Sequence, residues 1–180
     1  LVATGGAKLG SGSLTVTGQF ARGDGFVPIV EENRGPADRA APYRQASLAL
    51  RSVFPVGENV ELQANLSGFT DERDCGTDFT PMTSQGADAS MRLVGRGRWR
   101  WSALAYLQHR DFSSGFASIG PGRATAPPTL DQHVPATGMG ARLEIEPPIG
   151  GGATLRLGGD MRHTSGRTRE LYTYVAGKPT

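Results

Sequence analysis

An apolar and polar alternation of about ten residues, folding straight back on itself, constrains this chain more than any other feature. From Arg44 to Phe54, Ala46, Leu48, Leu50 and Phe54 fall on one face of an extended segment, with Gln45, Ser47, Ala49 and Arg51 on the other. Pro55, Gly57, Glu58 and Asn59 then supply the residue types that tight turns use. The chain returns with Val60, Leu62, Ala64 and Leu66 on one face and Glu61, Gln63, Asn65 and Ser67 opposite. Both arms have one oily and one polar side.

The pattern recurs. Ala89, Met91 and Leu93 oppose Asp88, Ser90 and Arg92, and a connection at Gly97 and Arg98 leads into Trp101 to His109. On that return arm Trp101, Ala103, Ala105 and Leu107 compete with Leu104 and Tyr106, so its facing stays open. Further on, Met139, Ala141, Leu143 and Ile145 alternate with Arg142, Glu144 and Glu146. Pro147, Pro148, Ile149 and three glycines then turn the chain into Leu155, Leu157 and Met161, set against Thr154, Arg156, Asp160 and Arg162. Paired prolines are excluded from a central strand, which puts the turn there. The predicted strands are 12–22, 44–54, 60–70, 87–96, 101–110, 137–146 and 153–163, with fainter ones at 2–9 and 170–176. Between them lie polar connections at 23–43, 71–86, 112–136 and from 164 onward.

Short turns on one rim and long loops on the other, with strands of about ten residues, are what a transmembrane barrel needs. The expected fold is all-β: an antiparallel up-and-down transmembrane β-barrel, of which this chain holds an incomplete set of about seven to nine strands. Hydrophobic residues make up 37% of the chain, and no apolar run approaches the ~20 residues of a membrane helix. The chain starts at Leu1 without an initiator methionine or signal peptide, and is read as a piece of a longer protein.

Sites for chemistry are sparse. Arg92, Arg96, Arg98 and Arg100 crowd one strand end, but no nucleic-acid motif accompanies them, and solvated rim arginines are expected instead of a nucleic-acid partner. His109, His133 and His163 lack ligand spacing along one element, so no metal site is expected, and no cofactor. Cys75, the single cysteine, sits among Asp71, Glu72, Asp74 and Asp78 as a loop residue or with a partner cysteine elsewhere. No Gly-x-Ser-x-Gly elbow occurs. Glu144 and Glu146 share one side of a strand, the sharpest enzyme alternative, yet lumenal charge explains them, and no enzymatic activity is expected.

The hairpin from Arg44 through Pro55-Val56-Gly57-Glu58-Asn59 to Phe69, the loop Gly23-Asp24-Gly25-Phe26-Val27-Pro28-Ile29 before it, the segment from Arg98-Trp99-Arg100-Trp101 to Phe116, and the Gly-rich turn near Gly150 together resemble the barrel of TonB-dependent outer-membrane receptors. Family members have a 22-strand barrel, an N-terminal plug and a short segment that contacts the TonB energy-transducing protein. The resemblance implies that residues 1–180 are part of such a barrel without plug or signal peptide, in the outer membrane of a Gram-negative bacterium and in contact with its lipid. It implies energised uptake of a scarce ligand, such as a ferric siderophore. It further implies ligand contacts from aromatics and cations of the extracellular rim: Phe69, Phe79, Phe112, Phe116, Arg110 and Arg123. Each of these has a rival role in an aromatic girdle or in loop packing. The competing readings are another outer-membrane barrel, a porin or autotransporter translocator, and a soluble secreted β-sandwich binding module with its oily face inward.

Overall fold

The computed structural model describes residues 1–175 and 178–179. Eight strands run up and down in one antiparallel sheet, in chain order: β1 (Val2–Leu9), β2 (Gly12–Gly23), β3 (Tyr43–Gly57), β4 (Val60–Asp74), β5 (Pro81–Arg96), β6 (Arg100–Ala117), β7 (Pro128–Glu146) and β8 (Leu157–Gly166). A ninth, β9 (Arg169–Tyr172), pairs with β7 beyond β8, and β10 (Tyr174–Val175) with β11 (Lys178–Pro179) makes a separate small hairpin. The sheet is open, with β1 and β8 as its edges. Among the described residues no helix is long and apolar enough to cross a membrane.

The sheet is a single layer. Its buried hydrophobic residues among those described are Ala37 and Ala126, both in connections. The surface is 12162 Å², against about 8,400 Å² for a compact monomer of this mass. Backbone ladders and cross-strand side-chain pairs therefore hold the strands together, with no packed interior beneath them.

Several connections differ from those expected. β4 and β5 keep pairing out to Asp74 and Pro81, so the loop expected at 71–86 shrinks to residues 75–80. β6 and β7 pair from Arg100 to Ala117, which shortens 112–136 to residues 118–127. Along β4 and β5 the added residues are mostly polar on both faces, and along β6 and β7 the apolar residues Phe112, Phe116, Leu130 and Val134 fall on the charged face; the apolar parity of the strand centres stops while the ladder, which needs only backbone, continues. On the other rim the turns are Gly10 with Ser11, Glu58 with Asn59, and residues 97–99. The fourth connection is longer than expected: β8 begins at Leu157, not 153, leaving Thr154, Leu155 and Arg156 outside it. Gly151 and Gly152 take left-handed backbone within the turn itself. The segment expected to be loop from 164 is strand, β9 resuming the partnership with β7 in the register of β8; position 176 of the faint 170–176 strand lies outside the described residues.

Glycines and aromatics pair across strands. A Cβ on Gly140 would meet the Tyr106 ring at 2.6 Å, and one on Gly86 would meet Phe69 Cε1 at 2.8 Å. The aromatic side chain occupies the space a side chain on the glycine would need.

Candidate functional site

Residues directly opposite on neighbouring strands share a face, so the register sorts every side chain. One rung runs Gly5, Val16, Leu50, Leu66, Ala89, Leu107, Met139, His163. Trp101, Ala103 and Ala105 share its face with Leu93, Met91 and Leu143, which resolves the return arm: Leu104 and Tyr106 lie on the other side. This face is apolar and open, with Leu48, Leu66, Met91, Leu107, Leu143 and Met161 each about half exposed or more.

The apolar belt ends obliquely. Moving from that rung toward the 24–42 connection, the first polar residue is Arg22 on β2 and Arg44 on β3, six residues away. It is Thr70 on β4 and Gln85 on β5, four away; His109 on β6 and Thr137 on β7, two away; and His163 on β8, on the rung itself. The edge falls six residues in six strand-to-strand steps, one residue per strand. All three histidines sit on this face at or beyond the edge, His133 with Nε2 2.9 Å from Asp111 Oδ1.

The opposite face carries the charges. Near its middle Arg110 Nη2 donates to both Asp88 oxygens, at 2.8 and 3.0 Å; Gln108 Nε2 donates to Oδ1 at 2.9 Å and Ser67 Oγ to Oδ2 at 3.4 Å. The Arg110 guanidinium lies 5.4 Å from the centre of the Phe69 ring. Gly86, between Phe69 and Arg110 on one rung, makes this stack possible: a Cβ there would stand 2.9 Å from Arg110 Cδ and 2.8 Å from the His109 carbonyl oxygen. One rung outward, Asp71 accepts from Gln45 Nε2 at 3.0 Å and from Arg73 Nε and Nη2, both at 2.7 Å. A guanidinium held by a carboxylate and set against a ring offers flat surface on which a planar ligand can stack.

Of the residues expected at the rim, Phe69 and Arg110 are in contact, and Phe112 points to the same face two residues along β6. Phe116 shares that face farther out; like Phe69 and Phe112, it stands on a strand, not in a loop. Phe79 occupies the β4–β5 turn with φ 63°, a left-handed conformation uncommon for a bulky residue, and is exposed. Arg123 is engaged elsewhere: its Nε donates to both Asp38 oxygens at 2.9 and 2.8 Å, and its Nη2 to Oδ1 at 2.6 Å. The Asp38 carboxylate is 1% exposed and also accepts from the Gly35 N–H at 2.8 Å. The Arg123 guanidinium, with that N–H, takes its carboxyl from an ordinary 3.8 down to about 2. This pair ties the β2–β3 connection to the β6–β7 connection, and Arg39 ties the former to Asp78 of the β4–β5 turn at 3.1 Å.

Nothing in the sequence singled out Asp88, Gln108 or Ser67; only their shared polar parity on three strands could have. Toward the other rim the same face is a ladder of ion pairs. Arg96 reaches Glu61 at 2.8 Å, Arg100 and Arg156 reach Glu146 at 3.2 Å, and Arg142 reaches Glu144 at 2.8 Å. Arg96, Arg100, Arg156, Glu144 and Glu146 border an open groove of about 600 Å³. Both carboxylates of the glycosidase alternative are thus bound to arginine. Cys75 is exposed in the β4–β5 turn. Set beside models of known families, curated proteins and solved structures, the chain matches none of them.

Proposed function

We propose that this chain is part of the wall of an outer-membrane receptor barrel of the TonB-dependent kind. Its belt faces lipid, its charged face lines a wet lumen, and the complete receptor takes up a scarce ligand such as a ferric siderophore, driven by TonB through a plug region. The observation that carries the reading is the oblique edge of the belt. A membrane surface is flat, so strands that cross it at an angle meet it at successively shifted residues. A shift of one residue per strand, with a rise of about 3.3 Å and a spacing of about 4.8 Å, corresponds to a tilt of about 35°, within the range of outer-membrane barrels.

Other observations agree. β3 to β7 run 15 to 19 residues, longer than the ~10 that a tilted strand needs, and the surplus lies beyond the belt, toward the tied connections. The Phe69, Arg110 and Asp88 patch lies on the lumenal side, where an anionic or chelate ligand passing inward meets it.

The test is expression of the full-length parent gene in a Gram-negative host, with envelope fractionation, heat-modifiable migration and growth on ferric siderophores under iron limitation. Recovery in the outer membrane with TonB-dependent growth supports the reading. Recovery there with TonB-independent solute passage replaces it with a porin or translocator, and a soluble periplasmic or secreted product defeats it in favour of the β-sandwich.

A further inference from the structure

Two arginines stand at the belt edge in an arrangement the receptor reading does not use. Arg22 on β2 and Arg44 on β3 are direct cross-strand partners on the belt's own face. Like charges set opposite one another at this spacing repel. Among the described residues neither forms an ion pair, whereas eight other arginines do. The carboxylate on their rung, Glu72, lies beside Arg44 but not within ion-pair distance of it.

Directly below them is the belt. Phe20 precedes Arg22 by two residues on β2, about 7 Å along the strand, and the Arg44 guanidinium lies 6.0 Å from the centre of its ring. Phe20 and Leu48 present open apolar surface. An aromatic at the hydrocarbon boundary with cations one step outside it follows the layering of a lipid molecule, acyl chain below and headgroup above.

We propose that Arg22 and Arg44 together bind the phosphate of a membrane lipid whose acyl chain lies along Phe20, Val16 and Leu48. A phosphate between two guanidinium groups accepts from both planar forks and turns the repulsion of the pair into attraction. Glu72 beside Arg44 and Asp24 two residues beyond Arg22 line the same recess and limit the site's charge. The proposal rests on the lipid-facing reading of the belt.

The test uses the full-length protein in nanodiscs of phosphatidylcholine doped with phosphatidic acid, reading lipid retained on the protein by native mass spectrometry. Wild type, Arg22→Gln with Arg44→Gln, Glu72→Gln, and Arg162→Gln on the opposite face are compared. At about fivefold per arginine near an anionic headgroup, the double variant is expected to lose about 25-fold of the preference for phosphatidic acid, Glu72→Gln to gain severalfold, and Arg162→Gln to keep the wild-type value. Equal retention of the two lipids by wild type, or an unchanged preference in the double variant, overturns the phosphate site while leaving the belt in lipid. If the double variant does not fold, an unchanged preference in Glu72→Gln overturns it as well. Failure of the wild type to enter nanodiscs of any composition defeats the lipid reading itself.

Discussion

An arginine moved along the belt face of β4 should report depth. Val60, Leu66 and Thr70 share that face, through their partners Gly95, Ala89 and Gln85. The ten steps from Val60 to Thr70 cover about 33 Å along the strand, and at a tilt of about 35° about 27 Å of depth, close to the ~25 Å apolar band of an outer-membrane barrel. Leu66 falls near the middle and Thr70 about 11 Å above it. Leu66→Arg should therefore cost about 2 to 4 kcal/mol, and Val60→Arg and Thr70→Arg about 0 to 1 kcal/mol. In populations this is about 30- to 700-fold at the centre and about fivefold or less at the ends. Asn65→Arg, one residue away on the charged face, should stay within about 0.5 kcal/mol. Reversible folding of the complete protein into vesicles, followed in denaturant by tryptophan emission and heat-modifiable migration, measures all four. A flat profile across the three belt positions, or a loss at Asn65→Arg equal to that at Leu66→Arg, refutes the reasoning.

Asp38 should give the rim connections a pH dependence. Its carboxyl is depressed to about 2 in the fold, so its contribution is whole above about pH 4 and fades as pH falls toward 2; limited proteolysis by pepsin should cut residues 24–42 or 118–127 faster across that window relative to an unstructured control substrate, and Asp38→Asn should remove the dependence while leaving both segments open to trypsin at pH 7. Gly86→Ala should push Arg110 off Phe69 and strain the His109 carbonyl contact, lowering stability by about 1 to 3 kcal/mol and weakening uptake, read as a shifted denaturation midpoint and reduced ligand binding. Asp88→Asn removes the anion that holds Arg110 but keeps the shape. Ligand affinity should fall at least tenfold with the denaturation midpoint little changed, and an unaltered affinity would take this patch out of recognition.

The hairpins around Glu58 and Gly97 were legible because period-two alternation and turn chemistry agree there. The third differs at its far arm: Leu155 and Thr154 continue the alternation of β8, but pairing with β7 begins only at Leu157. Strand ends were misjudged in the opposite sense at Asp71 to Asp74 and at Phe112 to Ala117, since backbone pairing continues after the apolar parity stops. Facing on β6 was beyond local reading, because Leu104 and Tyr106 are as oily as their neighbours; only the rungs to Arg92 and Arg142 give them a side. The candidate site was half legible. Aromatics and arginines could be named one at a time, but whether Arg110 meets Phe69 depends on Gly86 from a third segment, and whether Arg123 is free depends on Asp38, 85 residues away in the chain.

Pro135 sits inside β7, a strand with partners on both sides, opposite Asp111 and at the interruption between β8 and β9. Its carbonyl accepts from the Arg167 N–H at 3.1 Å, but its ring nitrogen has no hydrogen to return. In hydrocarbon an unmet backbone acceptor costs several kcal/mol, whereas beside water the cost nearly vanishes. On the barrel reading proposed above, the proline works as a waterline gauge built into the sheet: a bilayer that held this wall would stop short of its level, just outside Thr137.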